Sequence, residues 1–157
     1  GRCEILRRHF SRPALTTDVI VGFPGETEEE FQETVEFLKK IRLYETHVFK
    51  YSKRKGTRAA EMPDQVSEQV KAERSDVLLA LNRENKSAFL KEWTGEECQV
   101  LFEEKIAVGG REFWAGYTKE YIRAVMPGEA SLENQILGGR LAPLPGEEEY
   151  LLFTGAL

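Results

Sequence analysis

Thiols are nearly absent from this chain, and the two it has, Cys3 and Cys98, stand 95 residues apart. So wide a spacing excludes a disulfide framework and offers no thiol set for an iron–sulfur cluster, and it fits a reducing cytosol. Histidine is equally sparse: His9 and His47 have no companion at metal-ligand spacing and read as structural residues, so no metal site is expected. Long apolar runs are missing as well. The longest are short strands such as Val19 to Val21, far below the roughly 20 residues of a membrane span, and Gly1-Arg2-Cys3-Glu4-Ile5 has no signal-peptide core. The expectation is therefore a cytoplasmic protein with no membrane partner. Neither a repeat nor a low-complexity tract interrupts the 157 residues, which are enough for one core or two small lobes.

What is present is unevenly distributed. Net charge is −5, yet residues 1–91 hold 17 Lys and Arg against 15 Asp and Glu, whereas residues 92–157 hold 5 against 12. Within the first part, residues 46–60 carry five cations, Lys50, Lys53, Arg54, Lys55 and Arg58, and no acid. Such a segment supplies phosphate-positioning charge, and any polyanion should meet this loop before the acidic second part.

The patterning changes along the same line. Glu4 to Phe10 reads as a helix stopped by Pro13, and Ala14 to Val21 as a buried strand of a parallel sheet covered on both faces. Gly22-Phe23-Pro24-Gly25 then turns into a helix opened by a Thr27–Glu30 capping box, with Phe31, Val35, Leu38 and Ile41 on one face. Thr46 to Tyr51 completes a βαβ unit, in which Gly22 and Gly25 let the backbone approach a ligand closely and the free N–H groups at the start of the helix are expected to face the same space. A long helix from about Ser67 to Lys91 should bury Val70, Val77, Leu78, Leu81 and Ala88. Beyond Trp93-Thr94-Gly95 the pattern is all-β. Cys98–Phe102, Phe113–Thr118, Tyr121–Met126, Gln135–Leu144 and Tyr150–Thr154 form about five short strands punctuated by Gly109-Gly110, Pro127-Gly128, Gly138-Gly139 and Pro145-Gly146, which suggests a small oligonucleotide-binding type of barrel. Cys98 sits within the first of these strands as a small core residue.

Two stretches carry a resemblance. Thr16-Thr-Asp-Val-Ile-Val-Gly-Phe-Pro-Gly-Glu-Thr27 and Val48-Phe-Lys-Tyr-Ser-Lys-Arg-Lys-Gly-Thr-Arg-Ala-Ala60 resemble the radical S-adenosylmethionine methylthiotransferases, most of all the branch that modifies threonylcarbamoyladenosine in the tRNA anticodon loop. The Trp-Ala-Gly-Tyr-Thr-Lys-Glu-Tyr-Ile-Arg run at 114–123 is similar to the TRAM domains of these enzymes. The resemblance covers the whole chain and implies two parts: residues 1–91 as the end of a parallel (β/α) radical barrel with a connector helix, and residues 92–157 as a five-stranded TRAM β-barrel. The fold class is thus α/β followed by all-β.

The resemblance also implies S-adenosylmethionine and two four-iron clusters whose cysteines are not in this chain, so the chain alone is expected to be inactive, with no catalytic residue of its own. The family pattern Gly-x-Ile-x-Gly-x-x-Glu is matched at Ile20 and Gly22, while Asp18 and Gly25 stand at its first Gly and its Glu. The implied cofactor contacts are Ile20, Gly22, Phe23, Gly25, Val48, Phe49 and Tyr51, against a bland reading as turn and core. Implied partners are the anticodon stem-loop and the cluster-bearing N-terminal domains of the same protein. RNA contacts fall to the five loop cations and to Tyr117, Tyr121 and Arg123, the last three by stacking, although alternating aromatics also fill small barrels. Lys119 and Arg140 are weaker basic candidates. Two alternatives stand beside this reading: the related enzyme acting on a ribosomal-protein aspartate, and a non-catalytic RNA-binding module.

Overall fold

A computed structural model describes residues 1–155, so the last two residues of the expected second part lie outside the described residues. Two compact units divide the chain between Lys86 and Ser87.

The first unit is a βαβ unit with flanking helices. Strand β1 (Thr16–Val21) pairs in parallel with β2 (Glu45–Lys50), from Thr16 opposite Glu45 to Val21 opposite Lys50. Between them runs α2 (Glu28–Ile41), which begins as its capping box dictates: Thr27 Oγ1 accepts the Glu30 N–H at 3.2 Å, and Glu30 Oε2 accepts the Thr27 N–H at 2.9 Å. It ends on Arg42 in the left-handed region (φ 46°). There its last carbonyls accept from Arg7 of α1 (Arg2–His9), 2.6 Å from Ile41 O and 2.7 Å from Arg42 O, a cation where the helix dipole is negative. Phe31, Val35 and Leu38 turn inward and pack with Val21, Leu43 and Leu78, joined by Val19, Val48 and Leu81.

Two expectations need correction in this unit. The β1–β2 sheet is covered on one face among the described residues, not two: Thr16, Asp18 and Ile20 are exposed while the alternate residues face the helices. Helix α4 (Glu68–Glu92) has nearly the expected span, but Val77 and Ala88 are exposed. Its inward face is Lys71, Arg74, Ser75 and Leu78, a spacing of three and four residues carried mostly by polar side chains. Further along that face Asn82 Oδ1 accepts the Thr46 N–H at 2.7 Å, which satisfies a donor at the start of β2.

The second unit is a closed five-stranded barrel. Strands β3 (Glu97–Val108), β4 (Arg111–Thr118), β5 (Arg123–Met126), β6 (Gln135–Pro143) and β7 (Leu151–Gly155) pair in the cyclic order β3-β4-β5-β7-β6, antiparallel except for β5 with β7. Its interior holds Val100, Phe102, Ile122, Ala124, Leu141 and Phe153, with the Phe102 and Phe153 rings edge to face at 5.5 Å, and Ala115 and Val125 pack on the other face with Val108, Phe113 and Leu144. β3 is longer than the sequence suggests because a register shift between Phe102 and Glu104 bends it and lets pairing with β4 continue to Val108. β5 starts later than expected. Tyr121 sits at φ 61°, and Thr118 Oγ1 accepts the N–H groups of Glu120 and Ile122 at 3.2 and 3.3 Å, so residues 118–122 form a closed turn rather than strand.

Candidate functional site

The strand tips of the first unit gather most of the predicted cofactor residues. Ile20 and Phe49 are register partners, so their side chains emerge side by side on the uncovered face, 54% and 52% exposed. Val48 does not join them. It is one residue out of phase and packs with Val19 into the core under the helices, because successive strand residues point to opposite faces. One step back along the open face Asp18 pairs with His47, which is exposed and 4.0 Å from Glu45 rather than satisfied in the core. Beyond β1, Phe23 lies edge-on to Tyr51, ring centroids 5.4 Å apart. The Tyr51 hydroxyl is buried without a hydrogen-bond partner among the described residues.

The turn is tightly bonded within its own unit. Gly22 (φ 71°) and Gly25 (φ 87°) take the left-handed conformations their lack of a Cβ permits. Their N–H groups are not free: Gly22 donates to Glu26 Oε2 at 2.6 Å and Gly25 to the Asp64 carbonyl at 2.9 Å. The Thr27 N–H is taken by Glu30. Those three donors are satisfied internally, so the Gly22 and Gly25 amides are not free for a ligand, and the Ile20–Phe49 pair offers an exposed surface for a flat apolar one. Sequence reading missed the reason: Glu26 is held in place by Arg74, whose Nη1 donates to the same Oε2 at 2.6 Å. The only sequence signal for Arg74 and Lys71 is their three-residue spacing ahead of Leu78.

The basic loop follows β2. Thr57 closes it, donating from N and Oγ1 to the Arg54 carbonyl (3.2 and 2.8 Å) and capping α3 (Arg58–Glu61) through the Ala60 N–H. Backbone and Thr57 shape the loop, so its cations are not needed for folding. Lys53, Arg54, Lys55 and Arg58 are exposed and form no salt bridge among the described residues. Lys50, also exposed, helps to hold the Glu68 carboxyl below its usual range, an effect led by the hydrogen bond from Lys71.

On the barrel, Tyr117, Tyr121 and Arg123 do come together. The tyrosine rings are 6.2 Å apart, and the Arg123 guanidinium stacks between Tyr117 (5.7 Å) and Tyr150 (5.3 Å) while donating to Glu104 at 2.8 Å. Arg123 is thus largely spoken for as a cation. Arg140 and Lys119 are likewise paired, with Glu97 at 2.6 Å and Glu120 at 3.5 Å. Register adds two residues that sequence reading missed: Ile136, Leu101, Tyr117 and Arg123 form one row across β6, β3, β4 and β5, and Ile136 is 63% exposed. Cys98 is half-buried, and its thiol is pushed up to about 11, first by desolvation and then by the Glu120 charge, which makes it a poor nucleophile. Among the described residues no group of three or more His, Cys, Asp or Glu is placed to hold a metal, and no helix is long and apolar enough to cross a membrane.

No family model matches the chain. Individual proteins do. It is 42% identical over 137 residues to the threonylcarbamoyladenosine tRNA methylthiotransferase MtaB of Bacillus subtilis (strain 168), a match covering 87% of this chain and 30% of that protein. It is 49% identical over 104 residues to the tRNA-2-methylthio-N(6)-dimethylallyladenosine synthase of Nocardia farcinica (strain IFM 10152), covering 66% and 21%. The synthase of the same name from Methylacidiphilum infernorum (isolate V4) is 34% identical over 145 residues, covering 92% and 31%. The chain therefore spans under a third of the length of these relatives, which are methylthiotransferase enzymes acting on tRNA. Both adenosine modifications are named among them, and the likeness does not separate the two.

Proposed function

We propose that this chain is the C-terminal portion of a cytoplasmic tRNA methylthiotransferase, comprising the last βαβ unit of a radical S-adenosylmethionine barrel and a TRAM domain. The observation that carries this reading is the 42% identity over 137 residues, more than either unit holds, so the likeness runs through both.

S-adenosylmethionine, when bound and reduced, supplies the deoxyadenosyl radical for such a reaction. The residues here fit its adenine: Ile20 and Phe49 offer an apolar wall at the C-terminal ends of parallel strands, where barrel enzymes place their ligands. Gly22 and Gly25 shape the turn behind that wall, and Phe23 and Tyr51 flank it. Val48 serves the core behind. Iron–sulfur clusters do not fit this chain, since Cys3 and Cys98 lie in different units, so the cluster-bearing domains are a partner supplied by the rest of the protein. Lys50, Lys53, Arg54, Lys55 and Arg58 meet the phosphates of the anticodon stem-loop, and Tyr117, Tyr121 and Arg123 offer stacking surfaces to its bases.

The substrate is assigned to N6-threonylcarbamoyladenosine on the wording of residues 16–27 and 48–60, which resembles that branch most, while the Lys53-Arg54-Lys55 cluster favours tRNA over a ribosomal protein. The full-length protein, reconstituted with iron and sulfide, separates the possibilities when offered anticodon stem-loops bearing either threonylcarbamoyl- or dimethylallyladenosine. Mass spectrometry should find a methylthio group gained on the first. Gain on the second alone would move the chain to the other branch, and gain on neither would overturn the reading.

A further inference from the structure

Two cations lie buried where α4 begins. Lys71 is 4% and Arg74 6% exposed, a placement that is costly for a charge unless partners compensate. All their hydrogen bonds and ion pairs but one run to the end of β2, to the turn after β1 and to the first residue of α2. Lys71 Nζ donates to the Tyr51 carbonyl at 3.0 Å, just past the end of β2, and the exception is its bond to Glu68 of its own helix at 2.7 Å. The Lys71 stem crosses Gly22 so closely that a Cβ there would overlap Cγ and stand 3.1 Å from Cδ. Arg74 donates from Nη1 to the Glu26 carbonyl (3.2 Å) and carboxylate (2.6 Å), and from Nη2 to Glu28 at 3.3 Å, with its guanidinium over the Phe31 ring at 5.2 Å. That Glu26 oxygen also accepts the Gly22 N–H. An apolar face on α4 would pack the same sheet without desolvating two charges, so what these residues add is directional: they set the positions of Gly22 and Tyr51 relative to one another.

We propose that Lys71 and Arg74 are positioning residues for the strand-tip site, holding the Gly22–Glu26 turn and Tyr51 so that Ile20 and Phe49 present a flat, pre-formed wall. The inference rests on the assignment of that wall to adenine. Neither side chain touches the ligand in this account; both act through the loop they hold.

The test uses the full-length protein with Lys71→Met, which keeps the stem but loses the ammonium, together with Arg74→Met and the charge-retaining Arg74→Lys. Amide hydrogen exchange over residues 21–27 and 50–52, the dissociation constant for S-adenosylmethionine and the thermal midpoint are read in each. Lys71→Met should speed exchange at 50–52 by about tenfold, the weight of its one lost bond to Tyr51, and Arg74→Met at 22–26 by at least about tenfold, since two bonds to Glu26 are lost. Cofactor affinity should fall about as much, with Arg74→Lys restoring part of it. Exchange at the wild-type rate in both Met variants overturns the proposal whatever the cofactor result, and so does faster exchange with undiminished affinity. A wild-type protein that binds no S-adenosylmethionine overturns the functional assignment instead, and exchange then decides the positioning role alone. Should Arg74→Met fail to fold, Arg74→Lys carries the same comparison.

Discussion

Replacing Lys53, Arg54 and Lys55 together with alanine flattens the dependence of log RNA affinity on log salt by about 2 to 3 units, because each lost phosphate contact removes about 0.7–0.9 from the slope. The structure sharpens this expectation. The three side chains are exposed, free of salt bridges among the described residues, and dispensable to a loop shaped by Thr57 and backbone bonds, so their loss should leave folding intact. The barrel is the weaker alternative, since Arg123, Arg140 and Lys119 are each paired with an acid and its other two cations, Lys105 and Arg111, lie over the Trp114 and Phe113 rings. Replacing Tyr117 and Arg123 should weaken binding with at most about one unit of slope change, as stacking releases few ions. Fluorescence anisotropy of a labelled stem-loop across a salt series reads both. A triple variant that keeps its slope while the barrel variant loses it would place the electrostatic contact on the other unit.

Gly116→Ala should destabilise the barrel by about 3 kcal/mol, the upper part of what overpacking costs. The added Cβ would overlap the Leu101 carbonyl oxygen and stand 2.7 Å from Phe102 Cα, all of it backbone that no rotamer change can move. Leu101 and Phe102 sit at the register shift where β3 bends, so the main chain there is already committed on both sides, to β4 and to β6. Gly138→Ala is the control: a Cβ there meets nothing within 4 Å. Thermal or urea unfolding followed by barrel tryptophan fluorescence, through Trp114, should show a large shift for the first variant and a small one for the second. Equal midpoints would mean that β3 and β4 are not packed this closely.

Much of the architecture was legible because it is written in local chemistry. The Thr27–Glu30 box and the Phe31, Val35, Leu38 spacing specify α2 without reference to anything distant, and turn glycines separate the barrel strands. The polar inward face of α4 was not legible, since Lys71 and Arg74 read as solvent residues until their partners Glu26 and Tyr51 are known, 48 and 20 residues away along the chain. The same long-range bond holds Glu26 where it takes up the Gly22 N–H, a use of that donor that the local sequence does not show. Ile20 and Phe49 were named from a resemblance, but only the parallel register shows that they share a face and that Val48 does not. On the barrel, the row through Ile136 and Leu101 depends on pairing across non-consecutive strands, which no single-strand pattern encodes.

Whether this chain serves the methylthiolation of a tRNA adenosine, as proposed, is tested most directly by nucleoside mass spectrometry of total tRNA from cells with and without the encoding gene. Deletion should abolish the 2-methylthio form of N6-threonylcarbamoyladenosine and leave the unmethylthiolated nucleoside in its place. An unchanged level of every methylthiolated adenosine in the deletion strain would contradict it.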